Sequence, residues 1–358
     1  MTITTTKGAF SKIDTLFFKG IGIIMIVIHN YLHFQRGFNL ENEETFGREN
    51  VYKFLNHIYP IVWTDTFSAF FGFLGHYGVQ IFIFFSAYGL AIQFSDKTTY
   101  FSFVTKRLKK IYFLLFFGIL MFLLFNLLFL QPYPLIKTIR NTIFLSTTYS
   151  SFFDKHLYAM FTGPFWFFAL MIQIYIAFPF LYRIVKKLDS IKFILLLLLI
   201  FGFMGIGQYF TSKSTLSLFG NIFGHFPEVL LGIFMAQNSI KKFSAPVFLI
   251  SLIVFVGSQF SEFVFPFSFL AMTILLINLI QYLQKFTNKF FTEVVLYTGK
   301  ISMILFIING FFRSHPFFNL KDEPILRGER ILIYLLILFA VCHFLYLIYD
   351  WLTNKLRI

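Results

Sequence analysis

Ten apolar segments follow one another along the chain, and each is long enough to cross a lipid bilayer as an α-helix. A helix that rises about 1.5 Å per residue needs about 20 apolar residues to span the hydrocarbon core. The segments are approximately 16–34, 76–94, 111–131, 164–182, 191–210, 217–236, 244–260, 264–283, 298–315 and 330–349. We therefore predict an all-α protein, a polytopic transmembrane helical bundle of about ten spans that forms one domain over residues 1–358.

The composition agrees with this class and excludes others. Hydrophobic residues make up 58% of the chain and charged residues 13%, which is more apolar surface than a soluble core needs. The single cysteine, Cys342, excludes an internal disulfide and a Cys-rich metal site, and we predict no metal and no tightly bound cofactor. The polar N-terminus predicts no cleavable signal peptide. Nucleic acid is not expected as a partner, because the aromatic residues lie in apolar spans.

Basic residues cluster at one side of the predicted bundle. With ten spans, all the clusters fall on the same side, and they are Lys7 and Lys12; Lys106, Arg107, Lys109 and Lys110; Arg183, Lys186 and Lys187; Lys241 and Lys242; Lys285 and Lys289; Lys355 and Arg357. The positive-inside rule makes this side the cytoplasm and predicts both termini there, in a bacterial cytoplasmic (inner) membrane. The apolar segment 58–74 could be a re-entrant or interfacial helix. Counting it as an eleventh crossing would scatter the basic clusters over both sides.

Two long loops lie on the opposite side, over residues 35–75 and 131–163, and we predict that they are extracytoplasmic. Long loops with apolar residues of their own are more often functional than short ones. Acidic and histidine residues are frequent in and just after the first loop, namely Glu41, Glu43, Glu44, Glu49, His57, Asp65 and His76. With the shorter loop around 321–330, these two loops form the predicted outer face.

The first span, LFFKGIGIIMIVIHNYLHF, carries four polar side chains. Lys19 lies near its start, and His29, Asn30 and His33 lie near its far end. At about 100° per residue, Lys19 and Asn30 fall within about 20° of each other, so most of these groups share one broad face. A lysine that snorkels and two inert interfacial histidines are the alternative. Because intramembrane Lys and His need a partner, a cavity or a function, we predict a site here.

The second span and the segment after it carry further polar groups. In GVQIFIFFSAYGL, Ser86 lies at membrane depth among small residues that predict a close helix contact more than a binding site. The basic sequence KRLKKIY follows at the mouth of the next span. It predicts either an anchor on anionic lipid or a clamp for a phosphate-bearing donor, in which Arg107 offers bidentate geometry.

Three later spans add candidates. Trp166 is an interface anchor at the start of the fourth span, and His225 and Glu228 share a helix face in the sixth. Those two groups could exchange a proton or form a structural pair. In the ninth span, Asn309 and Arg313 lie towards the outer end, and an intramembrane arginine is expected to face a cavity or a carboxylate.

The order of these motifs resembles the membrane-bound acyltransferase 3 family, whose members O-acylate surface polysaccharides and lipids. The resemblance rests on KGIGIIMIVIHN, GVQIFIFFSAYGL, KRLKKIY, GPFWFFALMIQIYIAFPFL, FPEVLLGIF and TGKISMILFIINGFFR. It implies ten core helices and an acyl-CoA (acetyl-CoA) donor taken from the cytoplasm. It also implies transfer of the acyl group to a hydroxyl of a cell-surface polysaccharide or glycolipid at the membrane, with membrane lipid as a further partner.

The resemblance assigns roles residue by residue. Donor binding falls to residues that match the family's basic positions and its second-helix serine, namely Lys19, Arg107, Lys110 and Ser86. Acceptor-substrate binding is predicted for Trp166, Asn30, Asn309 and Arg313. The chain departs from the family pattern at two of these positions, because Asn30 and Asn309 stand where histidine is usual.

An imidazole general base is the predicted catalytic group, because a sugar hydroxyl attacks a thioester only when its proton is removed. His29 is the first choice for this base and His33 the second, oriented by Glu228 or by a carboxylate of the outer loop. Direct transfer and a covalent acyl-histidine relay both stay open. The alternatives from other classes are a glycan or lipid transporter and a catalytically inactive membrane scaffold.

Overall fold

The computed structural model describes residues 9–33, 35, 38, 41–43, 45–59, 61–95, 97–130, 134–153, 163–211, 218–315, 317–318 and 324–357. Every regular element within these residues is a helix, which confirms the predicted all-α class. Parts of the predicted outer loops, at 131–133, 154–162 and 319–323, lie outside the described residues.

Fifteen α-helices are described, together with four short 3₁₀ helices. In chain order, the α-helices are α1 (Lys12–Leu32), α2 (Arg48–Ile58), α3 (Trp63–Leu74), α4 (Gly78–Gln93), α5 (Tyr100–Phe129), α6 (Leu135–Ser146), α7 (Tyr149–Phe153), α8 (Trp166–Val185), α9 (Ser190–Thr211), α10 (Phe226–Gln237), α11 (Ala245–Ser258), α12 (Ser268–Gln284), α13 (Lys289–Lys300), α14 (Ser302–Phe312) and α15 (Pro324–Leu356). The 3₁₀ helices are Gly75–Tyr77, Gly163–Phe165, Ile222–His225 and Phe265–Phe267.

Seven helical segments of the described chain are long and apolar enough to cross a membrane. They are Lys12–Leu32, Trp63–Gln93, Tyr100–Phe129, Trp166–Val185, Ser190–Thr211, Phe265–Gln284 and Gly328–Leu356. The bent pair α13 and α14 makes an eighth if it is one span. Two shorter apolar helices, Ile222–Gln237 and Ala245–Ser258, coincide with the predicted sixth and seventh spans. The predicted count of about ten is therefore not confirmed.

The apolar stretch 58–74 is not a separate crossing. Its helix α3 continues through the 3₁₀ turn Gly75–Tyr77 into α4, so that Trp63–Gln93 forms one segment of 31 residues. At 1.5 Å per residue this segment is about 46 Å long, well beyond the roughly 30 Å of a hydrocarbon core. The stretch therefore lengthens the second crossing instead of adding an eleventh.

The predicted ninth span, 298–315, is a broken helix. The chain bends by 73° between α13 and α14, at Ile301. Polar Lys300 and Ser302 flank the break in the sequence, and no proline lies within it. The predicted segment therefore covers the end of α13 and the whole of α14 and is not one continuous helix, because hydropathy does not register a change of direction.

Helix α1 is the centre of the bundle and contacts α3, α4, α13 and α14. It begins at a capping box, in which the Asp14 backbone N–H donates to Ser11 Oγ and the Ser11 N–H donates to the Asp14 carboxylate at 2.9 Å. Two N–H groups that helix geometry leaves unpaired are satisfied in this way. The start of α1, and with it the register of its polar face, is thereby determined.

Glycines let the neighbouring helices approach α1 closely. A Cβ at Gly20 would lie 2.1 Å from the Val295 carbonyl oxygen of α13, and one at Gly78 would lie 2.4 Å from the Gly22 carbonyl oxygen. A Cβ at Gly232 of α10 would lie 3.1 Å from the Ala87 Cβ of α4, so the expected helix contact forms at Ala87, whereas a Cβ at Gly89 would meet nothing within 4 Å. Backbone-to-backbone packing of this kind holds α1 between α4 and α13.

Candidate functional site

Polar groups collect at both ends of α1. Lys19 lies towards its N-terminal end and His29 towards its C-terminal end, ten residues or about 15 Å further along the axis. We call the group formed by His29, His33, Glu41 and His76 the histidine cluster. The opening around Lys19 is the basic cavity, lined by Lys12, Lys19, Ser86, Gln93, Arg107 and Tyr175 among others.

His29 is buried and held in one orientation. Its Nδ1 lies 3.1 Å from the Gly72 carbonyl oxygen and 3.3 Å from that of Phe71. A carbonyl oxygen only accepts hydrogen bonds, so Nδ1 carries the hydrogen, and in the neutral ring Nε2 carries the free electron pair. Nε2 is therefore the atom of His29 that can take a proton or bind a cation.

The close approach of Gly75 to α1 produces this geometry. A Cβ at Gly75 would lie 2.6 Å from the His29 Cβ and 2.8 Å from the Met25 carbonyl oxygen. Any larger residue would push the end of α3 away from α1. The carbonyls of Phe71 and Gly72 could then no longer reach the His29 ring.

His33 lies one turn beyond His29, and the ring centroids are 5.9 Å apart. Its Nδ1 lies 2.8 Å from the Glu41 carboxylate, which belongs to the first predicted outer loop. Burial raises the pKa of the Glu41 carboxyl, but the hydrogen bond with His33 and the electrostatic effect of both histidines outweigh burial and lower that pKa to about 2. A carboxylate of the predicted outer loop thus lies beside His33, the second-choice base.

His76 belongs to the same cluster, although the sequence analysis places it only near the outer loop. Its ring centroid lies 5.5 Å from that of His29, and it is buried. The Phe73 backbone lies near the His76 ring, but neither ring nitrogen makes a hydrogen bond of ordinary geometry among the described residues. The available sequence signal is weak: a histidine two residues before GVQIFIFF, at the start of a span.

Of the predicted acceptor-binding residues, three lie near this end of α1. Arg313 Nη1 donates to the Asn30 backbone oxygen at 2.8 Å and interacts electrostatically with Glu41. Asn309 is fully buried and accepts a hydrogen bond from the Tyr334 hydroxyl of α15. Arg313 therefore holds the end of α1 in place, and Asn309 ties α14 to α15.

The basic cavity has a volume of about 570 Å³. It brings together Lys19, Ser86 and Arg107, three of the four predicted donor-binding residues, and Lys12 adds a third cation. The described residues that line it include no aspartate or glutamate. Such a cavity attracts an anion that carries several charges.

Lys110, the fourth predicted donor-binding residue, does not line the cavity. It is exposed on α5, one turn beyond Arg107. The Arg107 Nη2 donates to Gln93 Oε1 at 2.7 Å, which holds its guanidinium at the cavity wall. Among the described hydrogen bonds, none joins Lys110 to α4. Sequence spacing alone does not show that Arg107 lines the cavity and that Lys110 does not.

Glu228 and Trp166 lie in a separate polar cluster. Glu228 Oε2 is 3.8 Å from His225 Nδ1, at the spacing of three residues that the sequence predicts, and Trp166 stacks on the His225 ring. His225 Nε2 donates to the Phe219 carbonyl oxygen at 2.9 Å. Neither oxygen of Glu228 hydrogen bonds to His29 or His33 in the described structure. Glu228 thus lies apart from both candidate bases, whereas Glu41 lies at the histidine cluster.

The apolar helices and the polar centres at each end of α1 define an integral membrane protein with a buried imidazole group and an anion-attracting cavity. A family model described as an acyltransferase domain, Acyl_transf_3, matches residues 13–350, nearly the whole chain. The chain therefore belongs to the acyltransferase 3 family. Comparisons with curated proteins and with solved structures found no match.

Proposed function

We propose that this protein is a membrane O-acyltransferase that uses acyl-CoA, acetyl-CoA being the expected donor, and acylates a hydroxyl of a cell-surface polysaccharide or glycolipid. The observation that carries the proposal is the pairing on one helix of an anion-attracting cavity around Lys19 with a buried, oriented imidazole at His29. Family membership supports the reaction class.

In the proposed reaction, the basic cavity binds the phosphates of the donor. Arg107 offers a planar pair of donors and Lys19 a point charge, which together suit phosphate oxygens. The thioester must then travel about 15 Å along α1 to reach His29. An extended pantetheine arm is the part of CoA that can cover this distance.

His29 Nε2 takes the proton of the acceptor hydroxyl while the hydroxyl oxygen attacks the thioester carbonyl. The carbon–sulfur bond breaks, the acyl–oxygen bond forms, and the CoA thiolate receives a proton. Because Nδ1 is held by the carbonyls of Phe71 and Gly72, only Nε2 is available for this role. An acyl-histidine intermediate would form on the same Nε2, so the assignment of the atom holds for either route.

The proposed orientation follows from the donor. Acyl-CoA is made in the cytoplasm, so the basic cavity faces the cytoplasm and the histidine cluster faces the outer side of a bacterial inner membrane. Lys241, close to the start of α1, lies 3.4 Å from Asp14 and so belongs to the same basic end. This arrangement is consistent with the positive-inside rule.

A glycan transporter is the second candidate, because the break between α13 and α14 resembles the discontinuous helices of transporters.

The test uses the purified protein in lipid nanodiscs with acetyl-CoA and a mixed glycan acceptor, and measures free CoA thiol and the mass of the acceptor. We expect acceptor-dependent thiol release that is lost in His29→Ala and kept in His343→Ala, an exposed histidine outside both sites. Binding of glycan without any thiol release would favour the transporter.

A further inference from the structure

The residues of the histidine cluster are also of the types that bind a divalent metal ion. Acyl transfer does not require a metal ion at this place. His29, His33 and Glu41 each offer one ligand atom, and these atoms all lie within 4.8 Å of one another. His29 and His33 are four residues apart on α1 and so project from the same face of the helix. The carboxylate comes from a different segment, which encloses the group from a second side.

We propose that the histidine cluster binds one Zn²⁺ ion through His29 Nε2, a ring nitrogen of His33 and the carboxylate of Glu41. Two imidazoles and one carboxylate are a recurrent set of three protein ligands for Zn²⁺, with a fourth position left for water. The proposal departs from the sequence-based expectation of no metal, which considers cysteine-rich sites and does not see Glu41 beside the histidines.

The distances suit the ion after small side-chain movements. Ligand atoms at about 2.1 Å from a tetrahedral Zn²⁺ lie about 3.4 Å from one another. His33 Nδ1 and Glu41 Oε1 are already 2.8 Å apart, and the largest separation in the group is below 4.8 Å. Zn²⁺ binding therefore requires the more widely separated ligand atoms to move towards one another.

The surroundings of His29 match those of a metal ligand. A ligating histidine normally donates its second ring N–H to a carboxylate or a backbone carbonyl, which fixes the tautomer and the direction of the ring. His29 Nδ1 has this contact with Gly72 at 3.1 Å. Nε2 is thus prepared as a ligand before any ion arrives.

His76 gives an independent reason to expect a further ligand at this place. It is buried beside His29; the Phe73 backbone lies near its ring, and neither ring nitrogen makes a hydrogen bond of ordinary geometry in the part of the chain that is described. Buried polar atoms are normally satisfied by protein or by ordered water. Water on the fourth position of the Zn²⁺ ion would supply a partner for His76. The charge of Arg313 near Glu41 opposes the ion and lowers the expected affinity without removing a ligand.

Zinc at this position would stop acyl transfer, and this consequence rests on the proposed function. The ion takes the electron pair of His29 Nε2 that would otherwise accept the hydroxyl proton. Zn²⁺ and catalysis therefore compete for one atom. The site would act as a metal-dependent brake on the transferase.

The experiment measures metal binding without any need for activity. Untagged protein in nanodiscs is dialysed against ZnCl₂, and the bound metal is counted per chain; Co²⁺ in place of Zn²⁺ reports coordination by its visible absorption. We expect one Zn²⁺ per wild-type chain and the strong absorption of four-coordinate Co²⁺. Because losing even an outer partner of a ligand costs about 10- to 100-fold in affinity, His33→Ala and Glu41→Gln should each cost at least tenfold.

The matched control is His57→Ala, a partly exposed histidine that packs on Phe38 and is not in the ligand group. It should bind Zn²⁺ like the wild type, and thermal unfolding checks that every variant is folded. No binding by the folded wild type, or equal binding by wild type, His33→Ala and Glu41→Gln, would overturn the site. Stoichiometric binding by a protein that has no transferase activity even when it is metal-free would support the site and reject the proposed function. Binding that leaves an active transferase uninhibited would overturn the brake.

Discussion

The two ends of α1 are built in opposite ways. At the histidine cluster, His29 is packed against Gly75 and held by two carbonyl oxygens, so its ring has one orientation. At the other end, Lys19 faces an open volume of about 570 Å³. Among the described residues, no carboxylate pairs with Lys19. A fixed imidazole suits chemistry at one atom, whereas an open cationic cavity suits the binding of a large anion.

Position on a helix therefore does not determine the environment of a polar residue. Lys19 and His29 both lie within the same apolar span, and hydropathy treats them alike. Their neighbours differ, because α3 closes over one end and α4 and α5 leave room at the other. The proposed division of labour between donor binding and proton transfer follows from this contrast.

The largest expected effect on kcat is that of the substitution His29→Gln, which removes the proposed base. Positioned general bases contribute about 10²- to 10⁴-fold, so kcat should fall by that factor while KM for acetyl-CoA stays within about twofold. Initial rates over a range of donor concentrations test this, with thermal unfolding as the control for folding. A fall in donor affinity with unchanged kcat would contradict the contrast between the two ends.

Arg107→Ala should produce the reverse pattern. Loss of a charged hydrogen bond costs about 1.5–3 kcal/mol, so KM or Kd for acyl-CoA should rise roughly 10- to 100-fold with little change in kcat. Isothermal titration with CoA measures the binding. Lys110→Ala is the matched control, since it removes a cation of the same helix that does not line the cavity, and equal effects of the two variants would refute the assignment.

Gly75→Ala tests the packing that orients His29. The added methyl group meets the His29 Cβ and the Met25 carbonyl, and overpacking of this kind costs about 1–3 kcal/mol. We expect a lower Tm and reduced kcat with unchanged CoA binding. Gly202→Ala, where a Cβ meets nothing within 4 Å, is the control and should keep the wild-type Tm. If Gly75→Ala had a wild-type Tm and full activity, the close packing would not matter.

The smallest expected effects are those of two substitutions that each remove one carboxylate, at Glu41 and at Glu228. Glu41→Gln weakens a hydrogen bond of the histidine cluster and should raise the activation free energy by about 1 kcal/mol, which lowers kcat roughly fivefold. Glu228→Gln should leave kcat within about twofold, because Glu228 contacts His225 and not the base. Parallel rate measurements compare the two isosteric variants. A larger loss in Glu228→Gln would show that the second cluster takes part in the reaction.

The sequence predicts many of the residues of the site, but it does not predict how they are arranged in space. The first-span polar groups, the basic motif before the third span and the pairing of His225 with Glu228 all follow from spacing along one helix. The meeting of Glu41 with His33 does not, because it joins a loop to a helix. The same holds for Gly75 and His76, which reach α1 only when α3 and α4 pack against it.

By itself, the sequence determined the all-helical membrane class, the position of α1 and the family, because hydropathy, helical period and motif order are local properties of the chain. Only the tertiary structure decided that α3 and α4 are one long segment and that α13 and α14 bend by 73°. It also decided that Arg107 but not Lys110 lines the cavity, and that Glu41 rather than Glu228 is beside a candidate base. These outcomes depend on contacts between segments far apart in the chain, for which a single sequence carries no distance information.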